Sequence, residues 1–258
     1  MSWVVSRVLA PNPGPMTLDG TNTWVLRADD PAKGAAPGRG RSVVVDPGPL
    51  DERHLHAVRS AAGEVALVLL THRHADHSEG AAAFAASVGC RVRAADAEHA
   101  LSADLLHDGE RLTVDGLELQ VLSTPGHTSD SVSLLLDGGD LLTGDTVLGR
   151  GTSVVAHPDG RLGPYLESLH RLRELAATGA VTRLLPGHGP VVEDVAGVLD
   201  GYLAHRRDRL DEVRRALAEG ARTPREVVEA VYAGVDRSVW PAAELSAAAQ
   251  IEYLHASG

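Results

Sequence analysis

The amino-acid sequence predicts a layered α/β domain followed by a small helical domain. Two observations lead to this prediction. Short apolar runs bounded by Gly, Pro or Asp alternate with segments of helical periodicity, and this alternation ends near residue 195. A mixture of strands and helices of this kind favours sheets covered by helices. We assign residues 1–197 to the α/β domain and residues 198–258 to the helical domain.

Seven short apolar runs are the predicted strands, because each is brief and most are bounded by Gly, Pro or Asp. They cover residues 4–9, 24–26, 43–45, 65–70, 117–122, 132–136 and 141–142. Helices are predicted between them, at residues 50–61, 78–88 and 164–177. Residues 29–41 are rich in Gly, Ala and Pro and have no apolar periodicity, so we expect an exposed loop there.

Three helices are predicted in the C-terminal domain. Residues 198–219 carry apolar side chains at helical spacing. Thr223 and Pro224 supply an N-cap and a first-turn proline for a second helix at residues 225–233, which ends at Gly234. Residues 241–255 are predicted to form the third helix. A domain of this size has little core of its own, so we expect it to dock on the α/β domain.

Composition limits the classes of partner. The formal net charge is −11 and the sequence pI is about 5.6, which argues against binding nucleic acid through bulk positive charge. Cys90 is the only cysteine, which excludes an intrachain disulfide and a cysteine-rich zinc site. The first residues lack the features of a signal peptide, and no run approaches the roughly 18 apolar residues of a membrane-spanning helix. We therefore expect a cytoplasmic protein with no membrane partner.

Residues 71–80 carry the strongest functional signal. His72, His74, Asp76 and His77 follow one another closely, directly after the apolar run that ends at Leu70. Imidazole and carboxylate groups are the ligands that suit borderline cations such as zinc. A single histidine is usually a satisfied core residue, but that explanation does not account for three beside an aspartate at a strand end. This segment therefore predicts a metal site.

Four further polar residues follow apolar segments and stand in turns that contain Gly or Pro or lie beside them. They are Asp46, His127, Asp145 and His188. This pattern is expected where several strand ends converge on one site. Two interpretations of Asp46 stay open, namely a carboxylate that orients a ligand histidine and an aspartate that only shapes its turn.

The series His-x-His-x-Asp-His, followed by His, Asp and His, resembles the metallo-β-lactamase superfamily of hydrolases over residues 1–195. The resemblance implies a four-layer αββα sandwich with two metal ions at one edge of the sheets. Two zinc ions are expected, with iron or manganese as alternatives. The resemblance further implies that His72, His74 and His127 bind the first ion, that Asp76, His77 and His188 bind the second, and that Asp145 bridges them.

The implied chemistry is hydrolysis. A carboxylate shared by two cations partly cancels their repulsion, and a water between them loses a proton near neutral pH. The resulting hydroxide attacks a carbonyl or phosphoryl group, so the expected substrate is an ester, a thioester or a phosphodiester. Asp76 and Asp145 are the candidate catalytic residues, and substitution of either is expected to abolish turnover.

Details of the ligand set narrow the choice within the superfamily. True β-lactamases place Cys at the position of Asp145 or lack that acid, so antibiotic hydrolysis is disfavoured. Flavodiiron oxygen reductases carry Glu at the position of His74 and add a flavodoxin domain. Nucleases with the β-CASP insertion need far more chain than residues 146–187 provide before His188. Glyoxalase II and persulfide dioxygenases share the ligand set and stay open.

Residues 12–24, the loop 145–152 and the C-terminal domain resemble the beta-lactamase-like protein 2 group, in which the C-terminal domain is winged-helix-like. This likeness implies a single-strand-specific endoribonuclease as an alternative to a glyoxalase II-like thioesterase. The candidate substrate contacts are Asn22, Arg150, Thr152, Tyr165 and Arg206. For RNA, we expect Arg150, Arg161 and Arg206 to line one groove, with Tyr165 or Tyr202 stacked on bases.

The expected partner is thus a small ester or thioester, or single-stranded RNA, and a homodimer is an open alternative. A non-enzymatic module whose C-terminal domain contacts DNA is a further alternative. Helices that read DNA are usually basic, whereas residues 224–233 hold one Arg and two Glu.

Overall fold

The computed structural model describes residues 2–29, 40–234 and 236–257. Ten strands and seven α-helices lie within these ranges. The strands are β1 (Ser2–Leu9), β2 (Asn22–Asp29), β3 (Ser42–Val45), β4 (Val65–Leu69), β5 (Arg91–Arg93), β6 (Arg111–Val114), β7 (Leu117–Ser123), β8 (Val132–Leu136), β9 (Asp140–Gly144) and β10 (Arg183–Pro186). The helices are α1 (Glu52–Ala62), α2 (Ala75–Ser78), α3 (Ala81–Val88), α4 (Leu162–Ala177), α5 (Val195–Ala218), α6 (Pro224–Val231) and α7 (Trp240–Ser257), with a 3₁₀ helix at Arg237–Val239.

The strands form two five-stranded sheets. The first has the order β1-β2-β3-β4-β5, with antiparallel pairing as far as β3 and parallel pairing from β3 to β5. The second has the order β10-β9-β8-β7-β6 and is antiparallel except between β10 and β9. As a result, β3 and β4 end at one edge of the first sheet, while β7, β9 and β10 end together at one edge of the second.

Apolar clusters join these elements into four layers. The core between the two sheets includes Leu69 of β4 and Leu134 of β8, both fully buried. Phe84 of α3 packs on the outer face of the first sheet. Leu169 of α4 and Leu199 of α5 belong to the cluster that covers the second sheet. The predicted αββα order is confirmed.

The predicted strands are all present, with ends shifted by a few residues. Three further strands, β5, β6 and β10, lie outside the prediction. Strand β5 is only three residues long, and Val92 between two arginines is its single fully buried side chain. Strands β6 and β10 each begin with an exposed arginine and contain only four residues. Runs this short show too little periodicity to be assigned, and their place in a sheet depends on neighbours distant in sequence.

The predicted helix at residues 78–88 is wrong at its beginning. Helices α2 and α3 are separate, and Gly80 lies between them. A Cβ at Gly80 would lie 2.9 Å from the carbonyl oxygens of Gly48 and Pro49, so this junction packs tightly on the turn after β3. The break keeps His77 on the short helix α2, beside that turn.

The C-terminal helices occupy the expected positions. Helix α5 begins at Val195 because the Asp194 carboxylate caps it by accepting from the Gly197 N–H at 3.0 Å. Helix α6 begins after the predicted Thr223 cap, which forms a reciprocal capping box with Glu226. Helix α5 packs on α4, so the expected docking on the α/β domain is observed.

The boundary between the two predicted domains lies inside a helix. The division at residue 197 falls within α5 and stays a prediction. Of the expected loop at 29–41, residues 30–39 lie outside the described residues. In the described part of the chain, no helix combines the length and the apolar character needed to cross a membrane.

Candidate metal centre

Five strand ends meet at one edge of the two sheets. Strand β3 leads into Asp46, β4 into His72, β7 into His127, β9 into Asp145 and β10 into His188. Because these strands run in the same direction within their sheets, residues far apart in sequence reach one place. Three groups of potential ligands form there. Two share no member, namely His72, His74 and His127, and Asp76, His77 and His188, whereas Asp46, His72 and His77 form a third that overlaps both.

In the first group, three imidazole nitrogens face one another. His74 Nδ1 lies 3.1 Å from His72 Nε2 and 3.0 Å from His127 Nε2. His72 and His127 are buried, whereas His74 is exposed. A tetrahedral ion with nitrogen ligands at about 2.0 Å separates them by about 3.3 Å, so this spacing fits one cation.

The second group has similar spacing. His188 Nε2 lies 3.2 Å from His77 Nε2 and 3.2 Å from Asp76 Oδ2. His77 Nε2 lies 3.4 Å from the same oxygen of Asp76. Both histidines are buried, and the carboxylate of Asp76 is partly accessible.

Asp145 stands between the two groups. Its Oδ1 lies 3.4 Å from His77 Nε2, and its Oδ2 lies 3.2 Å from His188 Nε2 and 3.7 Å from His127 Nε2. Asp145 Oδ1 is buried and accepts no hydrogen bond from any described residue. Asp145 therefore contributes one carboxylate to both ligand groups.

Groups outside the centre set the tautomers of its histidines. His127 Nδ1 donates to the Val154 carbonyl at 2.7 Å, and His188 Nδ1 donates to the Gly20 carbonyl at 3.1 Å. Because a carbonyl oxygen only accepts, each of these Nδ1 atoms carries a proton. In the neutral imidazole, the lone pair is therefore on Nε2, which faces the centre. Lone pairs held this close repel one another unless a cation or a proton lies between them.

The first group favours neutral imidazoles. Burial, together with neighbouring histidine charge, lowers the pKa of His72 well below its usual value. Burial lowers the pKa of His127 to about 4 and also lowers the pKa of His74. These side chains are ready to bind a cation at neutral pH without first losing protons.

The second group retains protons. Burial opposes charge on His188, but hydrogen bonds to Asp145 and Asp76 raise its pKa to about 9. Burial likewise opposes charge on His77, yet the nearby carboxylates, Asp145 foremost, raise its pKa well above the usual value. Burial also opposes charge on Asp76, but the charge of His77 and the hydrogen bond from His188 together lower its pKa to about 2. A cation at this group must displace protons.

The sequence of the chain matches a known protein family. The family model described as "Metallo-beta-lactamase superfamily" matches residues 16–188, which is more than half of the chain. The chain belongs to the metallo-beta-lactamase superfamily. A second model, "Beta-lactamase associated winged helix domain", matches residues 223–258. Superfamily membership makes the chain a metal-dependent hydrolase rather than a non-enzymatic binding module.

Relatives and solved structures extend this assignment along the chain. A beta-lactamase-like protein 2 homolog of Caenorhabditis elegans is 33% identical over 247 residues, which cover 90% of this chain and 78% of the relative. An atrochrysone carboxyl ACP thioesterase of Aspergillus fumigatus is 31% identical, with 88% of this chain and 73% of the relative covered. A metallo-beta-lactamase family protein from Thermus thermophilus has the same fold, with a TM-score of 0.80, 24% identity and coverage of 98% and 94%.

Asp46 lies behind the ligands of this superfamily centre. Its Oδ1 accepts from the Thr71 N–H at 2.8 Å, and its Oδ2 accepts from the Thr71 hydroxyl at 2.6 Å. The same Oδ2 lies 2.8 Å from His77 Nδ1, which donates to it. The Thr71 oxygen in turn lies 3.1 Å from His72 Nδ1. Asp46 thus orients His77 directly and His72 through Thr71.

Two supporting residues were not singled out from the sequence. The Thr21 hydroxyl donates to Asp76 Oδ2 at 3.0 Å. Asn12 holds Thr21 at two points, by donating to its hydroxyl at 3.0 Å and by accepting from its N–H at 2.9 Å. Both lie in the amino-terminal segment whose likeness to the beta-lactamase-like protein 2 group is a sequence signal, but that likeness assigns them no role.

Several candidate substrate residues have structural roles instead. Asn22 is buried and donates to the carbonyls of Pro186 and Gly189, both at 2.9 Å, so it holds the turn that carries His188. Tyr165 is fully buried and donates to the Thr146 carbonyl at 2.7 Å. Placing either residue against the substrate is wrong, because neither side chain has a face open to it.

The arginines expected to line one groove do not do so. Arg206 is buried, whereas Arg150 is half-exposed and forms an ion pair with Asp19. Arg161 forms a 2.9 Å ion pair with Glu252 of α7. Thr152 is partly accessible on the loop after Asp145 and keeps its place as a candidate contact.

Gly187 is required by the closeness of the two sheets' loops. A Cβ at Gly187 would lie 2.4 Å from Asp145 Oδ1 and 2.6 Å from the His77 Cε1 carbon. Any side chain at residue 187 would enter the space between the ligands, so at this position the turn brings only backbone against the centre.

Proposed function

We propose that the protein is a two-metal hydrolase that cleaves the acyl bond of an ester or thioester. The observation that carries this proposal is the set of inward-facing imidazole nitrogens around Asp145. Its Oδ1 is buried with no hydrogen-bond partner among the described residues. A buried carboxylate oxygen without a donor is costly unless a cation compensates it.

The donor set fits zinc. Imidazole nitrogens and carboxylate oxygens bind zinc at about 2.0–2.2 Å, and iron or manganese accept the same donors. His72, His74 and His127 would hold one ion, Asp76, His77 and His188 would hold the other, and Asp145 would contact both. Bound ions would supply a water that loses its proton near neutral pH and would polarise the acyl oxygen.

The two aspartates have different tasks in this proposal. Asp145 is buried, and its negative charge offsets the repulsion between two cations. Asp76 is more accessible, with 28% of its side chain exposed, and Thr21 fixes its Oδ2. His74 is the exposed histidine of the first group. We infer that substrate approaches over His74 and Asp76, since the other ligands are covered by protein.

The surroundings favour an acyl substrate over RNA. The arginines considered for phosphate contacts are engaged, Arg150 with Asp19 and Arg161 with Glu252. Tyr165 and Tyr202 are buried, so neither offers a ring for base stacking. The net charge of −11 adds general repulsion of polyphosphates. A relative whose match covers 88% of this chain is named a thioesterase, which is consistent with this choice.

The test is a substrate comparison on protein of measured metal content. Zinc-loaded protein is assayed with acyl thioesters of coenzyme A and glutathione, with a small phosphodiester and with fluorescent single-stranded RNA. We expect thioester hydrolysis to exceed the others and Asp145→Asn to lower it by more than about 100-fold, since a shared ligand is lost. Asp137→Asn, in the exposed turn after β8, is the matched control and should leave turnover unchanged.

The outcomes separate the parts of the proposal. Thioester turnover that survives Asp145→Asn would contradict the two-metal centre. RNA cleavage without thioester turnover, lost in the same variant, would keep the centre and replace the acyl substrate with a phosphodiester.

A further inference from the structure

Helix α5 connects the two family-model matches and belongs to neither, since these end at residue 188 and begin again at residue 223. It carries Arg206 into the apolar layer against the second sheet, where this side chain is only 5% exposed. The Arg206 guanidinium donates to the Ser153 carbonyl and lies 4.9 Å from the centre of the Tyr165 ring. Neither contact is with a carboxylate, and Arg206 Nε is buried without a hydrogen-bond partner among the described residues.

Burial of the Arg206 guanidinium at this position is energetically unfavourable. Removing a charge from water costs free energy, and hydrogen bonds to uncharged partners offset only part of that cost. The surrounding cluster consists mainly of leucines and valines, and a leucine would pack there without that cost. Stability alone therefore does not account for Arg206. Its presence is better explained by the backbone group to which it donates.

That group is the peptide segment that fixes His127. Ser153 accepts from Arg206 through its carbonyl, and its hydroxyl lies 3.1 Å from His127 Nδ1. The next residue, Val154, accepts the His127 Nδ1 proton on its carbonyl at 2.7 Å. The position of residues 153–154 thus decides which nitrogen of His127 carries the proton and where Nε2 points.

The segment between Asp145 and these residues depends on tertiary contacts. It contains no helix or strand from residue 145 to residue 161. Tyr165 of α4 donates to the Thr146 carbonyl, and Tyr202 of α5 accepts from the Leu148 N–H at 2.8 Å. Arg206 lies one helical turn after Tyr202 and makes the last of these contacts, the one beside His127.

We propose that Arg206 is a positioning residue for His127, through which α5 sets the geometry of the first metal-ligand group. Its hydrogen bond holds the Ser153 carbonyl, and the carbonyl of the adjoining residue Val154 holds the imidazole with its Nε2 lone pair toward His72 and His74. The inference rests on the proposed metal function. It adds that the C-terminal part of the chain takes part in building the centre without contacting the substrate.

The test compares Arg206→Met with Arg207→Met, which removes the same charge from the exposed neighbouring position of the same helix. In metal-free protein, the His127 Nδ1 proton is followed by nitrogen-edited NMR of the imidazoles. We expect a protected resonance in the wild type and in Arg207→Met, and a lost or rapidly exchanging one in Arg206→Met. In cobalt titrations, Arg206→Met should weaken the first group by about tenfold, as supporting partners of ligand histidines do, and the second group less.

A wild-type His127 resonance together with wild-type cobalt affinity in folded Arg206→Met would overturn the proposal. If Arg206→Met does not fold, Arg206→Lys decides instead. Its ammonium cannot both reach Ser153 and lie flat on Tyr165, so weakened first-group affinity is expected, and unchanged affinity would overturn the proposal. Failure of the wild type to bind cobalt would contradict the proposed function, while the NMR comparison would still decide the role of Arg206.

Discussion

Each buried histidine of the metal centre presents a particular nitrogen because an acceptor outside the centre holds the other one. The Val154 carbonyl does this for His127, the Gly20 carbonyl for His188, the Asp46 carboxylate for His77 and the Thr71 hydroxyl oxygen for His72. Ligand-type residues could be predicted from sequence, since they cluster after apolar runs. Of their supports, only Asp46 was a candidate from sequence; the others could not be predicted, because a backbone carbonyl carries no sequence signal and Thr21 looks like any loop threonine.

The two ligand groups should respond differently to pH. The pKa of His188 is raised to about 9. In metal-free protein, the stabilisation from its pairing with Asp76 and Asp145 is therefore fully present below the usual histidine pKa of 6.5 and is lost as pH rises through about 9. A cation at this group competes with that proton. The pKa of His127 is lowered to about 4, and the pKa values of His72 and His74 are also lowered, so the imidazoles of the first group are uncharged at neutral pH.

We therefore predict that the first zinc equivalent binds with little pH dependence between pH 6 and 8, whereas the second binds more tightly as pH rises. Zinc titrations in weakly buffered solution with a pH indicator measure the protons released. The second equivalent should release more protons than the first, and His188→Gln should reduce that release. Equal release by both equivalents would contradict the assignment of charge to the second group.

Gly187 provides a second test at the scale of single residues. Gly187→Ala places a methyl group against Asp145 Oδ1 and His77, and we predict a loss of turnover of about 100-fold because ligands must move. The control is Gly201→Ala, an exposed site in α5 with nothing near the added methyl group. That change should keep turnover and stabilise the fold by about 1 kcal/mol. Wild-type zinc binding in Gly187→Ala would contradict this prediction, because it would show that the turn accommodates a methyl group without displacing the ligands.

Among the helices and strands, the features that depend on residues adjacent in sequence could be predicted. The Thr223 cap and the start of α6 were readable because the capping residues are adjacent in sequence. Strands β5, β6 and β10 were not, since each is short and gains its place from a neighbouring strand. The break between α2 and α3 also escaped prediction, because it follows from the approach of the turn at Gly48 and Pro49 to Gly80.

The capping box yields a prediction for helix α6. Thr223→Ala removes the side-chain acceptor for the Glu226 N–H and should lower the free energy of unfolding by about 1 kcal/mol. Thr223→Ser retains the hydroxyl and should cost much less. Urea unfolding followed by circular dichroism measures both. An unchanged midpoint in Thr223→Ala would mean that α6 is held by its packing around Val227 and Val228 alone.

In the whole molecule, the fold brings strand ends from both sheets to one place. Two sheets supply ligands from opposite sides, and α4 and α5 brace the loop that follows Asp145. The layered α/β class followed from periodicity, and the αββα order followed from resemblance to the superfamily. Polar residues at strand ends already indicated a shared site, but the division of residues 46 to 188 into two ligand groups could be expected only through that resemblance, since spacing along the chain does not fix distance in space.

We propose that two metal ions at this convergence make the protein an acyl hydrolase. Zinc titration of metal-free protein, with bound metal and thioester hydrolysis measured on the same samples, tests it most directly. We predict that turnover follows occupancy, stays low with one equivalent and saturates at two ions per chain. Full turnover in metal-free protein, or saturation of both binding and turnover at a single ion, would contradict the two-metal account.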